Sequence, residues 1–234
     1  MPIEIVKAFC EKHGLEYEAK SINIFGVISK CPKCKDEEEK EKEQEALRQA
    51  ELQKKQDYED MINYLEKFSN IPKRYIIRNA NLEFDNFKRH CDILKNKLEK
   101  NIFLIGDTGT GKTFFIAEIF KKNWKSAPYY IDSSRLNLFN EKDFRVVNLL
   151  EKIDGRGIIA IDEVQMLCTN EKIHILEALV CGAYSNGSVI ILCGNGIKDD
   201  YYFLSNPKYK RMTSRLKDGG MNLIDFGSGD LRIW

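Results

Sequence analysis

The chain has 234 residues, of which 43% are apolar and 31% are charged, so we expect one substantial folded domain and a smaller second one. The 37 basic residues nearly balance the 36 acidic ones, and the overall charge therefore gives no indication of nucleic-acid binding. Neither a signal peptide nor a membrane span is predicted. This favours a cytoplasmic protein that does not act at a membrane and whose seven cysteines are reduced.

Two pairs of metal-binding residue types lie near the start of the chain. Cys10 and His13 form the first pair, Cys31 and Cys34 form the second, and two residues separate the members of each pair. Two such pairs can complete the tetrahedron that zinc prefers, and four protein ligands leave no open position for a substrate. We therefore predict a structural zinc in a domain covering residues 1–35. The alternative is that Cys10 and His13 are ordinary residues beside an unrelated redox pair.

A charged segment follows, and we assign residues 36–70 to it as a helical linker or arm. Up to residue 60 it consists almost entirely of Glu, Lys, Gln and Asp. Acid-first pairs four residues apart would each stabilise a helix by ~0.2–0.5 kcal/mol: Asp36/Lys40, Glu38/Lys42 and Glu51/Lys55. A stiff arm that binds a partner and a solvated spacer with partial helicity both remain open. The end of the segment is predicted to dock on the next domain through an apolar stripe: Met61, Ile62, Leu65 and Phe68.

The segment NIFLIGDTGTGKTFFIAEIF, residues 101–120, is predicted to form a strand, a glycine-rich loop and a helix. In the pattern GxxxxGK[ST], backbone N–H groups surround the β-phosphate, the lysine reaches the β- and γ-phosphates, and the hydroxyl binds Mg²⁺. We therefore predict ATP binding, with Lys112 on the phosphates and Thr113 on magnesium. The pattern is filled by Gly106, Asp107, Thr108, Gly109, Thr110, Gly111, Lys112 and Thr113.

The segment GIIAIDEVQML, residues 157–167, is a second apolar run, and it ends in two acids. In P-loop proteins such a strand delivers an aspartate towards the magnesium ion, which predicts that role for Asp162. Glu163 is predicted to polarise the water that attacks the γ-phosphate. Because a kinase takes its attacking oxygen from a second substrate, the adjacent acids favour ATP hydrolysis.

Two further positions are candidates for catalysis. The apolar run SVIILCGN ends in Asn195, whose amide could hold the attacking water or sense the γ-phosphate; alternatively, it only terminates a strand in a turn. The segment KRMTSRLKDGG contains Arg211 and Arg215. An arginine presented to the nucleotide of a neighbouring subunit can raise turnover by ~10³–10⁵, whereas the alternative is that both are surface or phosphate-contacting arginines.

Together these motifs resemble those of AAA+ ATPases, and more narrowly of the DnaC/DnaI family of replicative helicase loaders, over residues 71–234. GDTGTGKT is similar to the family's Walker A, IDEVQML to its Walker B and LCGN to its sensor 1. The sequence Ser-Arg-Leu around Arg215 resembles the box that carries the arginine finger, which favours Arg215 over Arg211. Arg232 matches the sensor 2 arginine, which binds the nucleotide. The resemblance implies an α/β fold with a parallel sheet flanked by helices, without the helical lid of most AAA+ proteins.

The resemblance also implies partners. The N-terminal domain and its arm would bind the hexameric replicative helicase, and the ATPase domain would bind single-stranded DNA when ATP is present. The insertion at residues 133–145 contacts DNA in this family, although an ordinary amphipathic helix is the alternative here. Its basic and aromatic side chains are Arg135, Lys142, Arg145, Phe139 and Phe144.

Other functional classes remain open. An IstB-type transposition ATPase would act on duplex DNA, a nucleotide-gated adapter would hydrolyse little ATP, and a small-molecule kinase is a further alternative. An arginine finger implies contact between subunits at some stage, so a self-oligomer within a larger complex is also expected.

Overall fold

The computed structural model describes residues 4–22, 26–27, 29–77, 92–94, 98–136, 144–197 and 200–228. The chain divides into two compact units, Met1–Glu59 and Asp60–Trp234, called here the first and second units. The domain boundaries at residues 35 and 70 stay predictions.

The first unit is a small antiparallel sheet followed by a helix. Strands β1 (Glu4–Cys10) and β2 (Leu15–Ile22) form a hairpin, and the short strand β3 (Gly26–Val27) pairs with β2. Among the described residues up to Glu59, the buried apolar side chains are those of Ala19 and Cys31. Such a small core stabilises little by apolar burial alone, so this unit needs another source of stability.

Helix α1 (Pro32–Phe68) is one continuous helix of 37 residues. Proline is tolerated at its first position, where the missing N–H would have no helical partner, and strong helix formers follow it. Its ion pairs differ from those predicted: Lys35 pairs with Glu39 at 3.9 Å, and Glu38 pairs with Lys30, which precedes the helix. The three predicted pairs do not occur among the ion pairs of the described residues, because exposed pairs of long side chains contribute little and are not held in one geometry.

The apolar stripe at the end of α1 is only partly buried. Met61 and Leu65 are buried in a core cluster of the second unit, and Ile62 packs against it. The predicted docking was wrong for Phe68, whose side chain is 50% exposed. Its ring makes a tilted contact with the ring of Tyr64, with 5.3 Å between centroids. The last turns of α1 therefore belong to the second unit.

The second unit is built on a parallel sheet of five strands in the order β5-β6-β7-β4-β8. The strands are β4 (Asn101–Ile105), β5 (Tyr129–Asp132), β6 (Ile158–Asp162), β7 (Val189–Cys193) and β8 (Met221–Asp225). The helices are α2 (Lys73–Ile77), α3 (Lys112–Lys122), α4 (Ser133–Leu136), α5 (Phe144–Ile153), α6 (Ile173–Ser185) and α7 (Lys210–Lys217). Short 3₁₀ turns occur at Trp124–Ser126, Val164–Leu167, Tyr202–Leu204 and Pro207–Tyr209.

The inner strands of this sheet are buried on both faces, as the continuous apolar runs in the sequence require. One core cluster lies between the sheet and helices α5, α6 and α7, and a second lies between the sheet, α3 and the end of α1. The predicted α/β architecture, a parallel sheet flanked by helices, is confirmed. Within the described part of the chain, none of the helices is both long and apolar enough to span a membrane.

Strand β5 stands at one end of the sheet and is joined to the segment that follows α1. The N–H of Tyr130 donates to the carbonyl oxygen of Ser69 at 2.7 Å, and the side-chain amide of Asn70 donates to the carbonyl oxygen of Tyr130 at 2.9 Å. Asn70 has a positive φ of 59°, a conformation that asparagine tolerates better than most residues. Both backbone groups of Tyr130 are thus bonded to residues 69 and 70.

Candidate functional site

The loop of residues 106–111 connects the end of β4 to the start of α3 at the carboxyl edge of the sheet, where its parallel strands end. Gly106 has φ 137°, and a β-carbon there would lie 2.9 Å from the carbonyl oxygen of Gly227, so only glycine fits. The N–H of Asp107 donates to the same oxygen at 2.9 Å. The loop is therefore held against the chain that follows β8.

Lys112, the first residue of α3, is 6% exposed. Its ammonium group donates to the carbonyl oxygens of Gly106 at 2.8 Å and Asp107 at 2.6 Å. Burial lowers the pKa of Lys112, although the nearby acids oppose this. A buried cation bonded only to neutral groups in this loop is well placed to bind an anion.

Asp162, at the end of β6, accepts three hydrogen bonds through its carboxylate. Oδ2 accepts from the hydroxyl of Thr113 at 2.8 Å and from the hydroxyl of Tyr130 at 2.6 Å, while Oδ1 accepts from the N–H of Glu163 at 2.9 Å. Burial raises the pKa of Tyr130, so its hydroxyl stays protonated and remains a donor. The adjacent hydroxyl and carboxylate oxygens are the hard ligands that magnesium prefers, and the site fits that ion.

Glu163 follows β6 in a left-handed conformation with φ 55°. This backbone is costly for a residue with a side chain, and such strained residues cluster at functional sites. Partial burial raises the pKa of Glu163, and the charges of Asp162 and Asp132 raise it further. A carboxylate in such a setting is a better proton acceptor than an exposed glutamate.

Asn195 lies two residues beyond β7, at the same edge of the sheet. Its N–H donates to the side-chain oxygen of Gln165 at 3.1 Å, and its carbonyl oxygen accepts from the hydroxyl of Tyr201. The next residue, Gly196, pairs through its backbone with Gly106 of the loop. The structure therefore brings Asn195, Glu163, Asp162, Thr113 and the loop to one edge of the sheet.

Arg215 lies elsewhere, on helix α7. Its carbonyl oxygen is near the side-chain amide of Asn101 (3.4 Å), the first residue of β4, so it lies at the amino edge of the sheet. A five-residue strand separates the two edges by roughly 15 Å. Its guanidinium lies 5.4 Å from the ring centroid of Tyr184. Arg211 on the same helix is exposed, and Arg232 lies outside the described residues.

The four predicted zinc ligands come together in the first unit. The Nδ1 atom of His13 lies 3.4 Å from the sulfur of each of the three cysteines, and the sulfurs of Cys10 and Cys34 are 3.7 Å apart. With ordinary zinc–ligand bond lengths, a tetrahedral site has edges of ~3.5–3.8 Å. The Nε2 atom of His13 donates to Glu37 at 3.0 Å, as metal-binding histidines commonly do with a carboxylate. These residues therefore fit a zinc ion.

The predicted DNA-binding insertion is described only in part. Arg135, in α4, is exposed and pairs with Asp132 at 3.3 Å. Phe139 and Lys142 lie outside the described residues, and the side chains of Phe144 and Arg145 are not described.

Comparison with known proteins bears on the second unit. Residues 102–195 match the model of a family described as ATPase family associated with various cellular activities (AAA). The second unit has the fold of a P-loop AAA+ ATPase domain, here called the AAA+ domain. Its predicted ATPase activity agrees with this match and with the loop and acids at the carboxyl edge. Comparison with the curated proteins gives no match.

Three solved structures are among those similar to this chain. A DnaI structure matches with a TM-score of 0.50 at 13% identity, covering 69% of this chain and 94% of the DnaI chain. A DnaC helicase loader matches with a TM-score of 0.48 at 18% identity, covering 66% of this chain and 99% of the other. DnaA from Aquifex aeolicus, bound to AMPPCP, matches with a TM-score of 0.46 at 17% identity, over 67% of this chain and 51% of DnaA. At 13% identity, the likeness to the DnaI structure concerns the fold alone.

Three residues around these sites were not predicted. Tyr130 contacts Asp162, and Gln165 contacts Asn195, each from another segment of the chain. No local sequence pattern indicates such contacts. Glu37 could have been found, because it lies one helical turn after Cys34, where a carboxylate can reach a neighbouring ligand.

Proposed function

We propose that this protein is an ATP-dependent loader of a hexameric replicative helicase onto single-stranded DNA, acting in the cytoplasm. The observation that carries the proposal is the cluster of the loop, Thr113, Asp162 and Glu163 at the carboxyl edge. It is joined in one chain to a separate unit with a zinc-type ligand set. The names of the similar structures, DnaI and the DnaC helicase loader, support this choice among the functions of AAA+ proteins.

In the proposed reaction, the loop binds the phosphates of ATP and Lys112 neutralises part of their charge. Thr113 and Asp162 would hold Mg²⁺, which supplies charge neutralisation at the β- and γ-phosphates. Glu163 accepts a proton from the attacking water as its oxygen bonds to the γ-phosphorus, and the bond between that phosphorus and the ADP oxygen breaks. Asn195 orients the same water. The four ligands of the first unit would hold a structural zinc.

Replacement of Glu163 by glutamine tests this assignment. An amide cannot accept the proton, so we expect turnover to fall by about 10²–10⁴, while the affinity for ATP stays within about twofold. Turnover would be measured as phosphate release with single-stranded DNA present, and affinity by equilibrium titration with a fluorescent ATP analogue.

The matched control is Glu171→Gln, which makes the same change at an exposed acid of the second unit. It should leave both quantities unchanged. If Glu163→Gln hydrolysed ATP at the rate of this control, Glu163 would not be the base, and a nucleotide-gated adapter with little hydrolysis would become the better description.

The loading activity is tested with the replicative helicase encoded by the same genome and a circular single-stranded DNA. We expect ATP to increase the helicase retained on the circle at least tenfold, and Lys112→Ala to abolish this increase because it removes the cation that binds the phosphates. Lys122→Ala, an exposed lysine at the end of the same helix, serves as the control and should load normally.

The outcomes separate the remaining functional classes. Absence of helicase retention under every condition would contradict the loader proposal. Stronger ATPase stimulation by duplex than by single-stranded DNA would instead favour a transposition-type ATPase, and a transposase would then be the partner to test.

A further inference from the structure

Tyr130 is the residue at which the segment after helix α1 meets the nucleotide site. Its N–H and carbonyl oxygen bond to Ser69 and Asn70, as described above. Its hydroxyl reaches across to the neighbouring strand and donates to Oδ2 of Asp162 at 2.6 Å. One residue on the outer strand β5 therefore contacts both the segment after α1 and the proposed magnesium ligand.

The hydrogen bond from Tyr130 to Asp162 is buried, and its acceptor oxygen also accepts a second hydrogen bond. Tyr130 is 6% exposed and Asp162 is 5% exposed, so water cannot readily replace the phenol. Oδ2 also accepts the hydroxyl of Thr113, the other oxygen proposed for magnesium. Two donors on one oxygen, with a third on Oδ1, fix the rotation of the carboxylate. Removing one of them leaves a buried acceptor less well satisfied, and hydrogen-bond partners of ligands tune metal affinity.

The neighbouring Tyr129 shows that this arrangement is specific to position 130. Successive side chains of a strand point to opposite faces, and Tyr129 packs in the core cluster of α5, α6 and α7, with Arg156 5.2 Å from its ring centroid. Tyr130 packs in the cluster of α3 and the end of α1. Tyr129 therefore provides a buried tyrosine on the same strand for comparison.

We propose that Tyr130 is a positioning residue: its hydroxyl holds the carboxylate of Asp162 for magnesium, and its backbone makes that position sensitive to the segment after α1. The inference rests on the magnesium role proposed above for Asp162. The segment concerned, Ser69–Asn70, belongs to the second unit, so the coupling lies within the AAA+ domain.

The test measures how magnesium changes the affinity of the full-length protein for a nonhydrolysable ATP analogue, by titration calorimetry with and without the ion. For Tyr130→Phe, we expect the affinity for the analogue without magnesium to be unchanged. The magnesium concentration that produces half of the magnesium-induced change in affinity should rise about tenfold. Tyr129→Phe should match the unaltered protein in both measurements. The same values in Tyr130→Phe and Tyr129→Phe would overturn the proposal, as would an equal loss of affinity with and without magnesium.

A second variant addresses the contact with the segment after α1. Asn70→Gly removes the amide that bonds to Tyr130, while glycine keeps the positive φ at low cost. In the otherwise unaltered protein, we expect Asn70→Gly to raise this magnesium concentration about threefold. When Tyr130→Phe is also present, Asn70→Gly should raise it by less than threefold. Independent, multiplicative effects of the two substitutions would contradict the coupling.

Asp162→Asn separates failure of this inference from failure of the proposed function. If magnesium still changed the analogue affinity of Asp162→Asn as in the unaltered protein, the magnesium role of Asp162 would be wrong, and the inference would fall with it. If Asp162→Asn lost the magnesium effect and Tyr130→Phe kept it, the positioning role of Tyr130 alone would be wrong.

Discussion

Arg215→Ala is expected to reduce ATP turnover by about 10³–10⁵ in the assembled protein with helicase and DNA present, while ATP affinity stays unchanged. The reason is its position: Arg215 is at the amino edge of the sheet and its own nucleotide loop is at the carboxyl edge. From there it would act on the nucleotide of a neighbouring subunit rather than on its own. Its stacking on Tyr184 limits its freedom before that neighbour arrives.

A mixing experiment tests this action between subunits directly. Lys112→Ala chains would lack nucleotide binding but keep Arg215, and Arg215→Ala chains would lack the arginine but keep the nucleotide site. Mixed together, they should recover turnover that neither has alone. Arg211→Ala, an exposed arginine on the same helix, is the control and should be nearly fully active. Equal losses in Arg211→Ala and Arg215→Ala, or no recovery on mixing, would refute the assignment.

Removal of zinc by a chelator, or by Cys31→Ser, is expected to unfold the first unit. Bound structural zinc contributes ~10–16 kcal/mol of folding free energy in small domains, and the apolar core described for this unit consists of Ala19 and Cys31. Hydrogen exchange should show loss of protection in β1 and β2. Zinc content, measured by atomic absorption, should fall from one ion per chain to none.

Loss of zinc should not affect the AAA+ domain. We expect the affinity for an ATP analogue to stay within twofold in Cys31→Ser, while binding to the helicase is lost. Cys181→Ser, which alters a half-buried cysteine of the second unit, should keep both zinc and helicase binding. Loss of ATP binding together with zinc would show that the two units do not fold independently.

The sequence predicts the parts of this protein that depend on neighbouring residues. The loop of residues 106–113 and the acids after β6 each follow an apolar strand, and parallel strands bring their carboxyl ends together without further information. The two pairs of predicted zinc ligands are recognisable for the same reason, because the members of each pair are only three positions apart. The structure confirms the parallel sheet, and it places the loop and these acids at one edge.

Contacts between distant segments could not be predicted. Tyr130 and Asp162 are 32 residues apart in sequence, and a tyrosine in an apolar strand is ordinarily a core residue. Gln165 meets Asn195 only because two loops pack together at the edge of the sheet. The ion pairs on α1 were predicted wrongly for a different reason: spacing alone does not decide which exposed charges meet, since each pair contributes less than the entropy of its side chains.

The bonds from Ser69 and Asn70 to Tyr130 also bear on the solubility of the AAA+ domain. An outer strand with unpaired N–H and carbonyl groups can recruit a strand from another molecule, which leads to aggregation. In this chain the two residues occupy the backbone N–H and carbonyl oxygen of Tyr130 on β5. A recombinant domain begun at residue 71 would leave them open, whereas one begun at Asp60 retains the cover together with Met61 and Leu65. The segment after α1 thus hinders the addition of a foreign strand at the β5 end of the sheet.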